Sequence, residues 1–139
     1  MRRPNLVPIF RWLTILTAGL VLIQAFFAGR GLWINRTFID HHEILANVLF
    51  IVVVVQLGLT LVIGIPGGIG KRLLGLNAAL VILMLVQTGL GYSGRTELEA
   101  RAFHIPLGVL IFGLAVIVAV MVPQIEGERG NQRRESGHQ

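Results

Sequence analysis

The sequence predicts an all-α protein, an integral membrane four-helix bundle with its N-terminus and C-terminus in the cytoplasm. Hydrophobic residues make up 54% of the 139 residues and charged residues only 14%, and the mean hydropathy is +0.75. The apolar residues form four uninterrupted blocks, each long enough for a membrane helix, since about 20 apolar residues cross about 30 Å of hydrocarbon. The basic residues are also divided unequally between alternate loops, as in multi-pass membrane proteins.

The four apolar blocks define the domain organisation. We predict that residues 1–123 form the bundle and that Pro123 ends its last helix. Residues 124–139 are charged and lack apolar periodicity, which predicts a disordered cytoplasmic tail. The predicted membrane spans cover residues 7–28, 41–65, 72–92 and 100–122.

The positions of the positive charges predict the orientation. Eight Lys and Arg residues lie at the N-terminus, in the second loop and at the C-terminus, against four in the first and third loops. Cytoplasmic loops carry the excess of Lys and Arg, so the second and fourth helices enter from the outer face. We therefore expect a multi-pass membrane protein with both termini in the cytoplasm, and with the lipid bilayer as a partner. The net charge of +5 is then a topology signal and does not predict binding to nucleic acid.

Several function classes are excluded or disfavoured. The chain has no cysteine, which excludes disulfides, thiolate metal sites, iron–sulfur clusters and cysteine nucleophiles. No charged residue lies deep within the second, third or fourth span, which disfavours a transporter. Residues 89–94 match the dinucleotide pattern G-x-G-x-x-G, but they end a membrane helix and follow no strand. We predict no catalytic residue.

Histidines at two helix starts are the candidate functional site. His41 and His42 open the second helix, and His104 opens the fourth. With the predicted topology, His42 and His104 lie at similar depth on the same side of the membrane. They are either two solvated helix ends or the two protein ligands of one metal or heme iron. His41 is the alternative ligand, because neighbouring helical residues point about 100° apart and only one of the two faces the centre.

Heme suits this pair better than a bare metal ion. A catalytic zinc normally has three protein ligands, whereas a heme supplies four nitrogens and needs only axial ligands. Gly108, one turn after His104, leaves room either for a flat macrocycle or for close helix packing. Heme propionates need cations, and guanidinium groups bind carboxylates well. The outer loops supply four candidates: Arg30, Arg36, Arg95 and Arg101.

Three motifs resemble one four-helix half of heme A synthase. DHHEILAN opens the second helix, VQTGLG closes the third, and FHIPLG opens the fourth. In that family the paired histidines are heme ligands, so the resemblance, over residues 20 to 120, implies heme ligation by His42 and His104 with Gln87 beside them. The synthase has two such units and this chain has one, so the resemblance does not extend to heme A synthesis. The motifs are also similar to a group of small bacterial four-helix membrane proteins without an assigned activity, and this resemblance implies a bacterial cytoplasmic (inner) membrane.

Together these observations predict a cytochrome b-like protein that is not an enzyme on its own. It would hold one heme b near the outer face and act in electron transfer or heme handling. One heme near one face does not carry electrons across the bilayer, so a quinone, a redox protein or a second copy of the chain is expected as partner. The alternative is a non-enzymatic accessory subunit of a membrane complex, without a cofactor. In that case Gln24, Gln56 and Gln87 are hydrogen-bond donors between helices.

Overall fold

A computed structural model describes residues 6–64 and 67–136, with side chains as far as Gln124 except at Gly67. These residues form four helices and no strand, and each helix contains a stretch long and apolar enough to cross a membrane. The prediction of an all-α, multi-pass four-helix bundle is therefore confirmed, while the orientation of the termini and the bacterial inner membrane stay predictions. The helices are α1 (Val7–Trp33), α2 (Thr37–Ile63), α3 (Gly67–Ser93) and α4 (Leu98–Ser136).

The four helices lie at the corners of a square. Each helix packs against its neighbours in the chain, and α4 also packs against α1, whereas the backbones on the two diagonals make no contact within the described residues. Short connections make consecutive helices antiparallel, so α1 and α3 are parallel, as are α2 and α4. Large apolar side chains such as Trp12, Leu61 and Val109 cover the outside of the bundle, the surface that lipid would contact.

The helices extend beyond the predicted spans at the ends. At the end that holds the first and third connections, which is predicted to be the outer end, α1 continues past Arg30 to Trp33 and α2 begins at Thr37. A charged residue marks the edge of the hydrocarbon, but the helix continues past it. The long side chain of an arginine within the helix extends to the membrane interface. At the other end, Gly64 closes α2 in the left-handed conformation at φ 56°, and its N–H donates to Thr60 O. Residue 65, the last of the predicted second span, lies outside the described residues.

The end of α4 differs most from the prediction. The helix continues through Pro123 to Ser136, so the predicted helix end near Val122 is wrong. A proline removes one backbone hydrogen bond but does not prevent the helix from continuing, and the Glu, Gln and Arg residues that follow favour helix. The backbone of residues 124–136 is thus helical where the sequence predicted a disordered tail. Its cytoplasmic position stays a prediction, and residues 137–139 lie outside the described part.

A buried polar network crosses the bundle at its inner half. Thr17 Oγ1 donates to Gln56 Oε1 at 2.7 Å, and Gln56 Nε2 donates to Asn77 Oδ1 at 2.6 Å. Asn77 Nδ2 in turn donates to Leu73 O at 2.8 Å. The side chains of Thr17, Gln56 and Asn77 are at most 1% exposed. The network therefore links α1, α2 and α3 through polar groups that all have partners, as buried polar groups require.

Gly31 lies at the close approach of α1 to α2 near the outer end. A Cβ at this position would lie 2.7 Å from Ile39 Cγ1 and 3.0 Å from the Ile39 backbone nitrogen. We therefore expect Gly31→Ala to destabilise the bundle by about 1–3 kcal/mol, as overpacking does. The measurement is a denaturant titration of the detergent-purified protein followed by circular dichroism.

Gly29→Ala is the matched control, because a Cβ at Gly29 meets no atom within 4 Å. We expect this variant to have the same midpoint denaturant concentration as the unsubstituted protein or a slightly higher one, since alanine has a higher helix propensity than glycine. Equal midpoints for the Gly31 and Gly29 variants would contradict the assigned close approach.

Candidate functional site

The structure brings His42 and His104 together inside the bundle. They lie on the diagonal helices α2 and α4, and their rings are 6.0 Å apart between centroids, with the ring planes at 65°. Both side chains are partly buried. The structure thus places the two histidines at similar depth, as predicted, and brings them together, whereas their role as ligands stays a prediction.

Each of these imidazoles is held through its Nδ1 atom. His42 Nδ1 lies 2.9 Å from Gln24 O, and His104 Nδ1 lies 3.0 Å from Gln87 O. A backbone carbonyl only accepts hydrogen bonds, so Nδ1 carries the proton and donates it in both cases. The Nε2 atom of each ring then keeps its lone pair. Metal-binding histidines commonly have this arrangement, with one ring nitrogen on a backbone carbonyl and the other free for the metal.

The same two glutamines return a hydrogen bond to the histidine backbones. Gln24 Nε2 donates to His42 O at 2.6 Å, and Gln87 Nε2 donates to His104 O at 3.0 Å. We call each reciprocal pair a Gln–His clasp: Gln24 with His42, and Gln87 with His104. The clasps confirm Gln24 and Gln87 as donors between helices, and Gln56 is a third. The Oε1 atoms of Gln24 and Gln87 are buried and have no hydrogen-bond partner.

The separation of the rings fits two imidazoles on opposite sides of one metal. With a metal–nitrogen distance of about 2.0 Å and about 1.1 Å from Nε2 to the ring centroid, the centroids would be about 6.2 Å apart. The observed distance is 6.0 Å. Among the described residues, no group of three or more His, Cys, Asp or Glu side chains lies close enough together to hold a metal ion. A heme fits this donor set, since it needs only two axial ligands from the protein.

Two glycines permit the clasp between α3 and α4. A Cβ at Gly91 would lie 3.2 Å from His104 Cε1, and a Cβ at Gly108 would lie 3.1 Å from Gln87 Nε2. Both distances are shorter than ordinary van der Waals contact. Of the two uses predicted for Gly108, the structure thus supports close packing, in which the helix accommodates the Gln87 side chain. Whether Gly108 also makes room for a macrocycle stays a prediction.

His41 lies on the outside of the α1–α2 pair. Its ring is exposed, with centroids 5.7 Å from Phe27 and 6.1 Å from Phe38, and its Nδ1 lies 2.9 Å from Thr37 O. The structure therefore places His42, and not the alternative His41, opposite His104.

Two of the four candidate arginines bond to polar protein groups. Arg95 Nη2 lies 2.6 Å from Glu43 Oε2 in an ion pair that connects α3 to α2. Both side chains are about half exposed, 58% and 41%, so the pair contributes little to stability. Arg101 Nε and Nη2 both donate to Gly94 O, at 3.0 and 2.7 Å. Arg101 thereby closes the third connection.

The other two arginines lie at the first connection. The Arg30 guanidinium carbon is 5.0 Å from the Phe38 ring centroid and 5.7 Å from that of Phe26, within the range of cation–π contacts. Arg36 precedes α2 and is exposed. All four arginines lie at the end of the bundle nearest the histidine pair, and contact with propionates stays a prediction for each.

The internal repeat of the chain was missed by the sequence reasoning. Gln87 follows Gln24 by 63 residues, and His104 follows His42 by 62. A signal for it is present, because Gln24 and Gln87 both begin the pattern Q-x-x-x-[A/G]-x-x-G, which ends at Gly31 and Gly94. The pattern is short, and only the two clasps show that its members have equivalent contacts.

Fold and site together define a class, a four-helix membrane protein with paired histidines between diagonal helices. Comparison with protein-family models, curated proteins and solved structures finds no match to this chain.

Proposed function

We propose that the protein is a b-type heme-binding membrane protein, with His42 and His104 as the two axial ligands of one heme near the outer face. One observation carries this proposal. The two rings lie 6.0 Å apart on facing helices, and each has its Nδ1–H bonded to a backbone carbonyl. The ring separation is therefore close to that of two imidazoles bound to one iron, and Nε2 is the nitrogen of each ring that the clasps leave free.

The surrounding residues support the proposal in two ways. The clasps hold each imidazole in one tautomer, which orients the ring for a ligand bond through Nε2. Two turns deeper, Leu49 and Ile111 are each 1% exposed and close the interior below the histidines. These apolar side chains exclude water from the inner side of the site. When bound, the heme would supply a one-electron iron couple.

The proposed role is electron transfer or heme handling at the outer face. A single heme near one face needs a redox partner, for which a lipid-soluble quinone, a redox protein or a second copy of the chain is suitable. The bilayer around the exposed apolar surface gives a quinone access from the side. Propionate contacts with Arg30, Arg36, Arg95 or Arg101 belong to the same proposal, because these cations lie at the end of the bundle nearest the histidines.

The test is an absorbance spectrum of the detergent-purified protein, oxidised and then reduced with dithionite, with a pyridine hemochrome assay. We expect about one heme b per chain and sharp bands of a six-coordinate, low-spin iron. A high-spin spectrum would contradict ligation by both histidines. A colourless protein that also fails to bind added hemin would contradict heme binding altogether, and would favour the accessory subunit held together by its interhelical hydrogen bonds.

Transfer of the bound heme to apomyoglobin distinguishes the two roles. A redox centre keeps its heme, so transfer over many hours would favour electron transfer. Loss within minutes would favour heme handling, since a carrier must release its cargo. The spectrum of myoglobin appearing in the mixture reports the rate.

A further inference from the structure

The buried positions of the second hairpin repeat those of the first. Here hairpin 1 means α1 and α2, and hairpin 2 means α3 and α4. Every buried residue of α1 has a buried counterpart 63 positions later, and every buried residue of α2 has one 62 positions later. The pairs are Val7/Gly70, Phe10/Leu73, Thr14/Asn77, Thr17/Leu80, Val21/Met84, Gly31/Gly94, Leu49/Ile111, Val53/Ala115, Gln56/Val118 and Thr60/Val122.

The hydrogen bonds at the histidines repeat in the same register. Each hairpin contains one clasp. In it the imidazole Nδ1 donates to the backbone carbonyl of the glutamine, and the glutamine side-chain Nε2 donates to the backbone carbonyl of the histidine. In each clasp the carboxamide Oε1 is buried without a partner. The two hairpins, already related by their buried positions, therefore also have the same clasp. Each clasp has two hydrogen bonds and one buried atom without a partner.

Because of the square packing, the two hairpins are related by an approximate twofold symmetry. Because α1 is parallel to α3 and α2 to α4, a half-turn about the bundle axis exchanges the two hairpins. The same half-turn exchanges His42 with His104. A ligand held between these histidines therefore has one clasp on each side.

We infer that the site consists of two equivalent half-sites, one from each hairpin, and that it does not distinguish between the two faces of a bound heme. This inference rests on the proposed function. The two faces of heme b differ in the order of its vinyl and methyl groups, so a protein selects one face only through unequal surroundings. Here either face would meet the same imidazole, the same tautomer and the same clasp.

The symmetry holds at the clasps and is partial around them. Next to the clasps, the counterparts Ala28/Gly91 and Ala46/Gly108 each differ by one methyl group, whereas Glu43/Ile105 and Ile44/Pro106 differ more. The polar network has no counterpart, since Gln56 corresponds to Val118, but Gln56 lies 14 residues after His42, about 21 Å along the helix. We therefore expect two heme orientations at equilibrium, in a ratio within about threefold of one, because small contact differences change an equilibrium by small factors.

The experiment is proton NMR of the ferric holoprotein in detergent, in which hyperfine-shifted heme methyl signals report each orientation separately. Spectra are recorded after reconstitution and again after prolonged incubation, because freshly added hemin enters many proteins in both orientations. We expect two sets of methyl signals that persist at equilibrium. A hemin analogue with methyl groups in place of both vinyl groups has identical faces, and it should give one set.

Relaxation of the heme b spectrum to a single set would overturn the inference while leaving heme binding intact. Failure to bind heme would instead overturn the proposed function. Ala28→Gly gives hairpin 1 the glycine that hairpin 2 has at residue 91, so it should move the ratio toward one. Gly113→Ala is the control, because a Cβ at Gly113 meets no atom within 4 Å, and it should leave the ratio unchanged. A shift away from one with Ala28→Gly would contradict the assigned equivalence.

Discussion

Replacement of His42 or His104 by alanine is expected to abolish heme retention, with occupancy falling to below about a tenth of that of the unsubstituted protein. Each substitution removes one of the two imidazoles that we propose as heme ligands, whose rings lie 6.0 Å apart. The equivalence of the clasps predicts that the two losses are similar in size. The measurement is the ratio of heme to protein after purification, from the pyridine hemochrome assay.

His41→Ala is the matched control, since it removes an imidazole from the adjacent position. His41 packs on Phe27 and Phe38 outside the centre, so its removal should leave heme content and spectrum unchanged. Added imidazole should restore the low-spin spectrum of a His42→Gly or His104→Gly protein by entering the space that the side chain leaves. If His41→Ala lost heme while His42→Ala kept it, the assignment of the ligands would be wrong.

Gln56→Leu is expected to destabilise the bundle by about 1–3 kcal/mol, the cost of leaving buried polar groups unpaired. The substitution removes the donor of the bond to Asn77 Oδ1 and the acceptor of the bond from Thr17 Oγ1. Asn77 is 1% exposed, so water does not replace the bond to its Oδ1, whereas Thr17 Oγ1 still donates to Leu13 O at 2.9 Å. Unfolding in a mixed detergent titration, followed by circular dichroism, measures the change.

Thr60→Val is the matched control for this prediction. Thr60 is buried on the same helix, but its Oγ1 donates only within α2, to Gln56 O at 2.9 Å, and valine has nearly its shape. We expect a loss below about 1 kcal/mol, because no bond between helices is broken. A Gln56 variant no less stable than the Thr60 variant would show that the network does not hold the helices together. Heme content should be unchanged in both, given their distance from the histidines.

The errors in the sequence-based boundaries have a common origin. The predicted helix ends lie at charged residues and at a proline, yet Arg30 lies within α1 and Pro123 lies within α4. Hydropathy reports where a chain leaves hydrocarbon, whereas helix ends depend on backbone hydrogen bonds, which continue into the interface. The arginine contacts are likewise not predictable from the local sequence. Arg95 pairs with Glu43, which is distant in the chain, and Arg101 donates to Gly94 O at the third connection.

The sequence by itself determined the membrane class, the number of helices and the equal depth of His42 and His104. These follow from composition, from the length needed to cross a bilayer and from the alternation of short loops. Only the tertiary structure decided that His42 and not His41 faces His104, that Gln24 and Gln87 set the imidazole tautomers, and that the two hairpins bury corresponding positions. Those features depend on how each helix is rotated about its axis, and this rotation is set by packing among all four helices together.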